Sequence, residues 1–290
     1  MNRTHKQTTI IKASGERNVF SADKLRNSLL RSGASKDVVN EIVEKIIAEL
    51  YEGMPTSAIY GKAFRLLKQH KKGFAAKYKL KAAIMELGPT GFPFEQFIAK
   101  VFERLGYTTQ TGKIIAGKCV THEVDVIARK DGEESLVECK FHQQKGVFCD
   151  VKIPLYISAR FRDIQDNRDR LNAKTTSHPF TGWLVTNTHF TKDAVSYGLC
   201  AGLKLMGWDL PAKDSLRELI DKYGIHPLTT LTTLTKYEKQ QLLEKNIVLC
   251  SDLEHHWELL ERIIHAERVI KVKEECKYLS NKKANSGIYL

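Results

Sequence analysis

Asp125, Glu138 and Lys140 lie in two apolar stretches, Val120–Ala128 and Leu136–Phe141, separated by the polar segment Arg129–Ser135. Both stretches alternate and are rich in β-branched residues. Lys130-Asp-Gly-Glu133 has hairpin-turn composition, so the sequence predicts two adjacent strands. Residues i and i+2 of a strand share a face. Glu138 and Lys140 therefore project together, with Val137, Cys139 and Phe141 on the other side, and strand pairing brings Asp125 beside them. Two carboxylates can gather a divalent cation and its water, and a neighbouring lysine can meet that water or a phosphate. Phosphodiester cleavage is the chemistry such a group suits.

The chain that must position these residues has 290 amino acids, enough for two domains and a third small one. A hydrophobic content of 42% suits packed cores rather than disorder. Lys and Arg number 46 against 34 Asp and Glu, giving a formal net charge of +12 and a pI near 9.3. That balance favours a polyanionic partner, with nucleic acid first. No stretch approaches the roughly 18 apolar residues of a membrane span, and the polar start Met1–Lys6 has no signal-peptide core. Cys119, Cys139, Cys149, Cys200, Cys250 and Cys276 contain no Cys-x-x-Cys pair, which argues against a zinc ribbon or disulfide framework and for a reducing cytoplasm.

Three regions follow. Residues 1–88 read as an α-rich unit that opens with a hairpin, strands Thr9–Lys12 and Arg17–Phe20 about the turn Ala13–Glu16. Ser21 and Asp23 open a helix carrying Leu25, Leu29 and Leu30. A second helix spaces Val38, Val39, Ile42, Ile46, Ile47 and Leu50 helically, and Thr56 or Ser57 caps a third with Ile59, Phe64 and Leu67. A fourth helix is expected over Phe74–Leu87. Four landmarks in order, Lys12-Ala-Ser-Gly15, Phe20–Leu25, Met54–Ile59 and Ala75–Tyr78, resemble the ATP-cone, the nucleotide-sensing module of ribonucleotide reductases and their repressor. The resemblance implies that Lys12, Asn18, Ser21, Lys24 and Thr56 line a site for ATP or dATP as effector. The chain departs from that pattern at Ala13, where an arginine is usual, and at Tyr60, where some members have histidine.

Residues 89–210 open within the breaker-rich loop Gly88–Pro93. An amphipathic helix with Phe94, Phe97, Ile98, Val101, Phe102 and Leu105 on one stripe precedes a strand at Tyr107–Thr111 and the hairpin described above. A helix over about Val151–Asp166, a charge-free strand Phe180–Thr186, a helix capped by Thr191 and a strand Lys204–Trp208 complete an αβββαβαβ domain. Glu123 is expected to turn away from Asp125. Gln143, Gln144 and Lys145 follow the strand end, where they can meet backbone phosphates. Gly91–Glu95, Leu105-Gly-Tyr107, His122–Ile127, Val137–Lys140 and Leu184–Thr191 fall in the order of the PD-(D/E)xK nucleases, and the region resembles their Mrr-like restriction endonuclease branch. That resemblance implies Mg²⁺ or Mn²⁺ held by Asp125, Glu138 and the Cys139 carbonyl, with Lys140 catalytic and Glu95 completing the site or its surroundings.

Residues 211–290 read as helical, with periodic Leu216, Leu219 and Ile220, then Trp257, Leu259, Leu260, Ile263 and Ile264. Leu242–Leu249 followed by Ser251–Leu253 fits either a helix-hairpin-helix or a dimerisation or packing module, and the tail 282–287 reads as a flexible end. The fold expected is α/β, α+β overall. The function expected is that of a cytoplasmic, metal-dependent endodeoxyribonuclease, a homo-oligomer acting on DNA under nucleotide control without a membrane partner. A non-catalytic nucleotide-responsive DNA-binding regulator and a repair or junction-resolving nuclease are the alternatives.

Overall fold

The structure is a computed structural model, and it describes residues 8–144, 146–171 and 180–280. Lys145 and the tail 282–287 lie outside them. The protein is mixed α/β with a helical carboxy-terminal region. In the first region β1 (Thr9–Ile11) pairs antiparallel with β2 (Arg17–Val19), as alternation predicts. Ser21 caps α1 (Ala22–Arg31) by accepting the Lys24 N–H at 3.2 Å. α2 (Lys36–Ala48) buries Val39, Ile42 and Ile46 against Leu29. Met54–Pro55, for which the sequence predicts no strand, form β3, parallel to β1. A two-residue strand carries no periodicity to read. Pro55, not Thr56 or Ser57, is the N-cap of α3 (Thr56–His70), and no side chain caps it. The single helix expected over Phe74–Leu87 is two, α4 (Lys72–Tyr78) and α5 (Leu80–Met85), divided at Lys79.

The middle region is a five-stranded mixed sheet flanked by helices, with the strands in the spatial order Lys204–Met206, Thr181–Thr186, Glu133–Lys140, Thr121–Lys130 and Thr108–Ala116. α6 (Phe92–Arg104) leads into β4 (Thr108–Ala116), which runs five residues beyond the expected end. β5 (Thr121–Lys130) and β6 (Glu133–Lys140) are antiparallel and close around only Asp131 and Gly132, both at positive φ (52° and 81°). A two-residue Asp-Gly loop of that conformation matches the strand twist, so the hairpin is tighter than Arg129–Ser135 suggested. After β7 (Phe148–Cys149) comes α7 (Lys152–Leu171), longer than the expected helix, then β8 (Thr181–Thr186), parallel to β6. β9 (His189–Phe190), α8 (Lys192–Cys200), which is capped by Thr191, and β10 (Lys204–Met206) complete the domain. β8 is shielded on both faces, which accounts for its charge-free sequence.

The remainder comprises α9 (Leu216–Tyr223), α10 (Lys236–Leu243), α11 (Trp257–Ile263) and α12 (Ala266–Ser280), with short 3₁₀ turns at Leu228–Thr230 and Asp252–His255. Leu242, Leu243, Ile247, Val248, Leu249 and Leu253 are all buried in one core with α6, so these side chains serve packing. That core also takes in Ala76, Leu80, Ile84 and Leu87, tying the first region to the last. Lys239, nearly fully buried, fastens the same joint by donating to the Thr229 carbonyl at 2.8 Å and pairing with Glu86 at 3.3 Å. Among the described residues no helix is long and apolar enough to cross a membrane.

Tyr278 of α12 makes the joint specific. Its ring packs edge-on to Phe74 with centroids 5.9 Å apart and lies 4.3 Å from the Lys71 ammonium. A Cβ on Gly73 would sit 2.1 Å from that ring. Helix propensity alone would make Gly73→Ala stabilising by about 1 kcal/mol, but the overlap is with a packed aromatic ring rather than a flexible chain end. We expect net destabilisation by about 1–3 kcal/mol. Chemical denaturation measures it, and a variant as stable as the parent would show that α12 does not grip α4.

Candidate active site

The expected acid–lysine group sits at the end of the β5–β6 hairpin, between α6 on one face of the sheet and α7 on the other. Hairpin register pairs Val126 with Val137 and then stops, so Asp125 is released from the ladder. Its Oδ2 accepts the Cys139 backbone N–H at 2.6 Å, which locks the carboxylate over β6. Glu138 is 5% exposed, and its Oε2 accepts from Arg160 of α7 at 2.6 Å. Its Oε1 is buried with no hydrogen-bond partner. A buried carboxylate oxygen without a donor is costly unless a proton or cation meets it.

Glu95, in the first turn of α6, joins the group from the other side. Burial, then the charges of Asp125 and Glu123, push its pKa up to about 7. Burial followed by Asp125 raises Glu138 to about 8, although the Arg160 guanidinium opposes the shift. At Glu138 two influences compete. One close ion pair favours ionisation, while loss of water and neighbouring acids disfavour it. The second set prevails because a single guanidinium cannot neutralise several acids. Asp125 is also raised, chiefly by burial and against the Cys139 N–H bond. Mutual elevation is the electrostatic mark of an anionic pocket awaiting positive charge.

Lys140 follows Glu138 by two residues and is half-buried. Its carbonyl accepts from Thr186 Oγ1 at 2.8 Å, across the β6–β8 register that pairs Lys140 with Thr186. Asn187 then clamps the next segment, accepting from the His142 N–H and donating to its carbonyl, both at 2.8 Å. Thr186 and Asn187, at the end of the interior strand, thus fix the backbone that carries Lys140. Gln143 donates to the Pro89 carbonyl and so ties the strand exit to the loop before α6.

Sequence reasoning gave Arg160 no role. The Glu123 side chain is exposed, and its charge acts on both Asp125 and Glu95. Residues 123 and 125 share a face wherever the strand is regular. Here Val124 packs with Ile127 and Leu136, while Val126 joins Val137 on the opposite side, so regular alternation does not set the relation of Glu123 to Asp125. Arg160 donates to the Glu123 carbonyl as well as to Glu138, and so binds both hairpin strands to α7. The signal that could have found it was Glu134 and Arg168. These residues are one acid and one arginine at matched spacing along β6 and α7, and they pair at 2.6 Å.

The acids fit a hard divalent cation in donor type. Asp125 and Glu138 each have one oxygen tied to a donor, and the second Glu138 oxygen is unsatisfied. Among the described residues no three His, Cys, Asp or Glu side chains are grouped closely as a preformed cage. Like charges gain nothing by closing to chelation distance before a cation is present. His122 is drawn elsewhere, to Asp163 at 2.7 Å, and does not enter the group.

A cavity of about 350 Å³ lies in the first region. Lys12, Asn18, Ser21, Lys24 and Thr56 all line it, with Ile10, Phe20, Ile59, Tyr60 and Tyr78. Tyr60 and Tyr78 stack with ring centroids 5.0 Å apart. Asn18 Oδ1 is buried and unpartnered. α3 starts at this cavity with its first N–H groups lacking a side-chain acceptor. Tyr60, a departure in the sequence pattern, is therefore part of the wall.

Comparisons with known proteins bear on the middle and last regions. Residues 89–153 match the restriction endonuclease family of the Mrr catalytic type, and residues 226–280 match the AF1548-like carboxy-terminal family. An uncharacterized protein of Archaeoglobus fulgidus is 36% identical over 157 residues, which make up 54% of this chain and 83% of that protein. A crystal structure of AF1548, described as a protein of unknown function, superposes with a TM-score of 0.53 at 32% identity, covering 66% of this chain and 98% of that one. The acid-bearing hairpin thus falls inside a restriction-endonuclease-type domain, and the chain belongs to the AF1548-like family.

Proposed function

We infer that the protein is a cytoplasmic, Mg²⁺- or Mn²⁺-dependent endodeoxyribonuclease controlled by ATP or dATP. The buried, unpartnered Oε1 of Glu138 beside Asp125 and Glu95 carries this reading, because such a set holds protons when empty and suits a hard divalent cation that replaces them. Asp125 and Glu138 would hold the metal, with the Cys139 carbonyl, and Glu95 would complete the shell or orient a water within it. The bound ion supplies a Lewis acid for the phosphate and its departing oxygen. Arg160 holds Glu138 in one orientation and leaves Oε1 for the metal. The Cys139 N–H does the same for Asp125. Lys140, fixed through Thr186, presents its ammonium to the attacking water or to the phosphate oxygens.

The cavity supports the second half of the reading. Two lysines, an uncapped helix start and stacked tyrosines suit a purine nucleotide, with phosphates on Lys12, Lys24 and the start of α3 and the base near Tyr60. Regulation then requires a different nucleotide affinity in two states of the protein, of which a change in homo-oligomeric state is the simplest. Lys24→Ala is expected to weaken ATP binding about tenfold, the order of a lost charge-assisted contact, in a fluorescent-nucleotide titration. Unchanged affinity would remove the cavity from the account.

Cleavage of plain, modified, single-stranded and branched DNA, with and without ATP, in Mg²⁺ or chelator, tests the whole proposal. Metal-dependent cutting supports it. One observation favours a second reading, a non-catalytic nucleotide-responsive DNA-binding regulator: Arg160 already neutralises part of Glu138. That reading requires salt-sensitive DNA binding that ignores both metal and Asp125→Ala.

A further inference from the structure

α7 lies along β6 in the opposite direction, and two ion pairs fix the alignment. Arg168 meets Glu134 at 2.6 Å and Arg160 meets Glu138 at 2.6 Å, so eight helical residues span four strand residues. The lengths agree, at about 1.5 Å per helical residue and about 3.3 Å per strand residue. Two further strand residues, from Glu138 to Lys140, advance about 6.6 Å, which the helix covers in about four residues. Tyr156 therefore stands abreast of Lys140, at the open end of the acid group.

Tyr156 is 62% exposed, and the Arg160 guanidinium lies 5.6 Å from its ring centroid. Leu155 beside it is 44% exposed, and Phe148, just before the helix, is 51% exposed. Three large apolar side chains left open on one short stretch next to a basic, acid-floored site call for an occupant with aromatic faces and negative charge. A paired base inside a duplex offers neither face, because both are stacked. We propose that Tyr156 is a stacking platform for an unpaired nucleobase next to the scissile phosphate. On this basis the preferred substrate class is DNA with single-stranded character: a single strand, a flap or an opened junction. This rests on the nuclease reading above and narrows it. Arg160 backs one face of the ring and the base takes the other, so that the phosphate following the base falls toward Lys140.

The test uses full-length protein in chelator, so that nothing is cut, and fluorescence anisotropy at one fixed salt concentration. The probes are a labelled single strand, the blunt duplex of the same sequence, and that duplex bearing a single-stranded flap. The parent is expected to bind single strand and flap more tightly than duplex. Tyr156→Ala should weaken single-strand and flap binding about tenfold while leaving duplex binding unchanged, and Tyr156→Phe should restore the parent's preference. A 2-aminopurine beside the flap junction should be quenched on binding to the parent and to Tyr156→Phe, but not to Tyr156→Ala. Equal loss on all three probes, or no loss on any, overturns the platform and leaves the nuclease reading standing. No binding to any probe by the parent overturns both.

Discussion

Asp125→Ala, Glu138→Gln and Lys140→Ala are each expected to lose at least about 10²-fold of metal-dependent DNA cleavage, while keeping the fold. Asp125 and Glu138 are the two acids that share the pocket floor, and each is fixed by one donor, the Cys139 N–H or Arg160. Removing either halves the carboxylate ligands available to a metal. Glutamine is the better replacement at Glu138, because it still accepts from Arg160. Alanine there would strand a largely buried guanidinium, a change that typically costs about 3–5 kcal/mol, and would confuse lost chemistry with lost structure. Lys140→Ala touches no core contact of this kind. Glu95→Ala should show a partial loss, since Glu95 enters from α6 and joins the group only through its field on Asp125 and Glu138. Cleavage rates by gel, with circular dichroism as the control for folding, decide the matter. Undiminished cutting by all three variants would remove the site.

The metal-free protein is expected to lose stability steadily as pH rises from about 4.5 toward about 8, and Glu138 is expected to be the main source. The sign follows from which state holds the proton. Unfolded, Glu138 loses its proton near the ordinary value of 4.5; folded, burial and Asp125 keep it protonated to about 8. Between those limits the native state binds more protons than the unfolded one, so stability falls with rising pH. The contribution is complete below 4.5 and gone above the folded value. Glu95, raised to about 7, adds in the same direction over a narrower range. Glu138→Gln should flatten the slope and be the more stable protein at pH 8, by an amount on the order of a few kcal/mol. Urea denaturation at several pH values in chelator measures this. Parallel slopes for parent and variant would mean that Glu138 is ionised in the fold at neutral pH.

Much of the architecture was legible because it rests on periodicity and short-range chemistry. Alternation predicted β5 and β6, the Asp-Gly dipeptide their turn, and Ser21 and Thr191 their helix caps. The pairing of Glu138 with Lys140 needed only the two-residue repeat of a strand. What stayed hidden depends on contacts between distant segments. β3 exists because β1 is there to pair with it, and Lys79 divides α4 from α5 with no proline or glycine to announce it. Arg160 lies 22 residues from its acid, and only the helix-on-strand alignment brings them together. The relation of Glu123 to Asp125 was not legible, because the break in alternation between Val124 and Val126 is a property of the folded sheet. The packing role of Leu242–Leu253 likewise appears only once α6 is laid against it.

Metal-dependent cleavage requires the Glu138 site to take a cation in exchange for a proton. Calorimetric titration of Mn²⁺ into the full-length protein near pH 7, in two buffers of different ionisation enthalpy, measures binding and proton release together. Saturable binding is predicted, with protons released because Glu138 and Glu95 must ionise to receive the metal. Both binding and release should be largely lost in Glu138→Gln. Titrations that show no saturable binding, or binding that releases no protons and survives that substitution unchanged, would contradict the account.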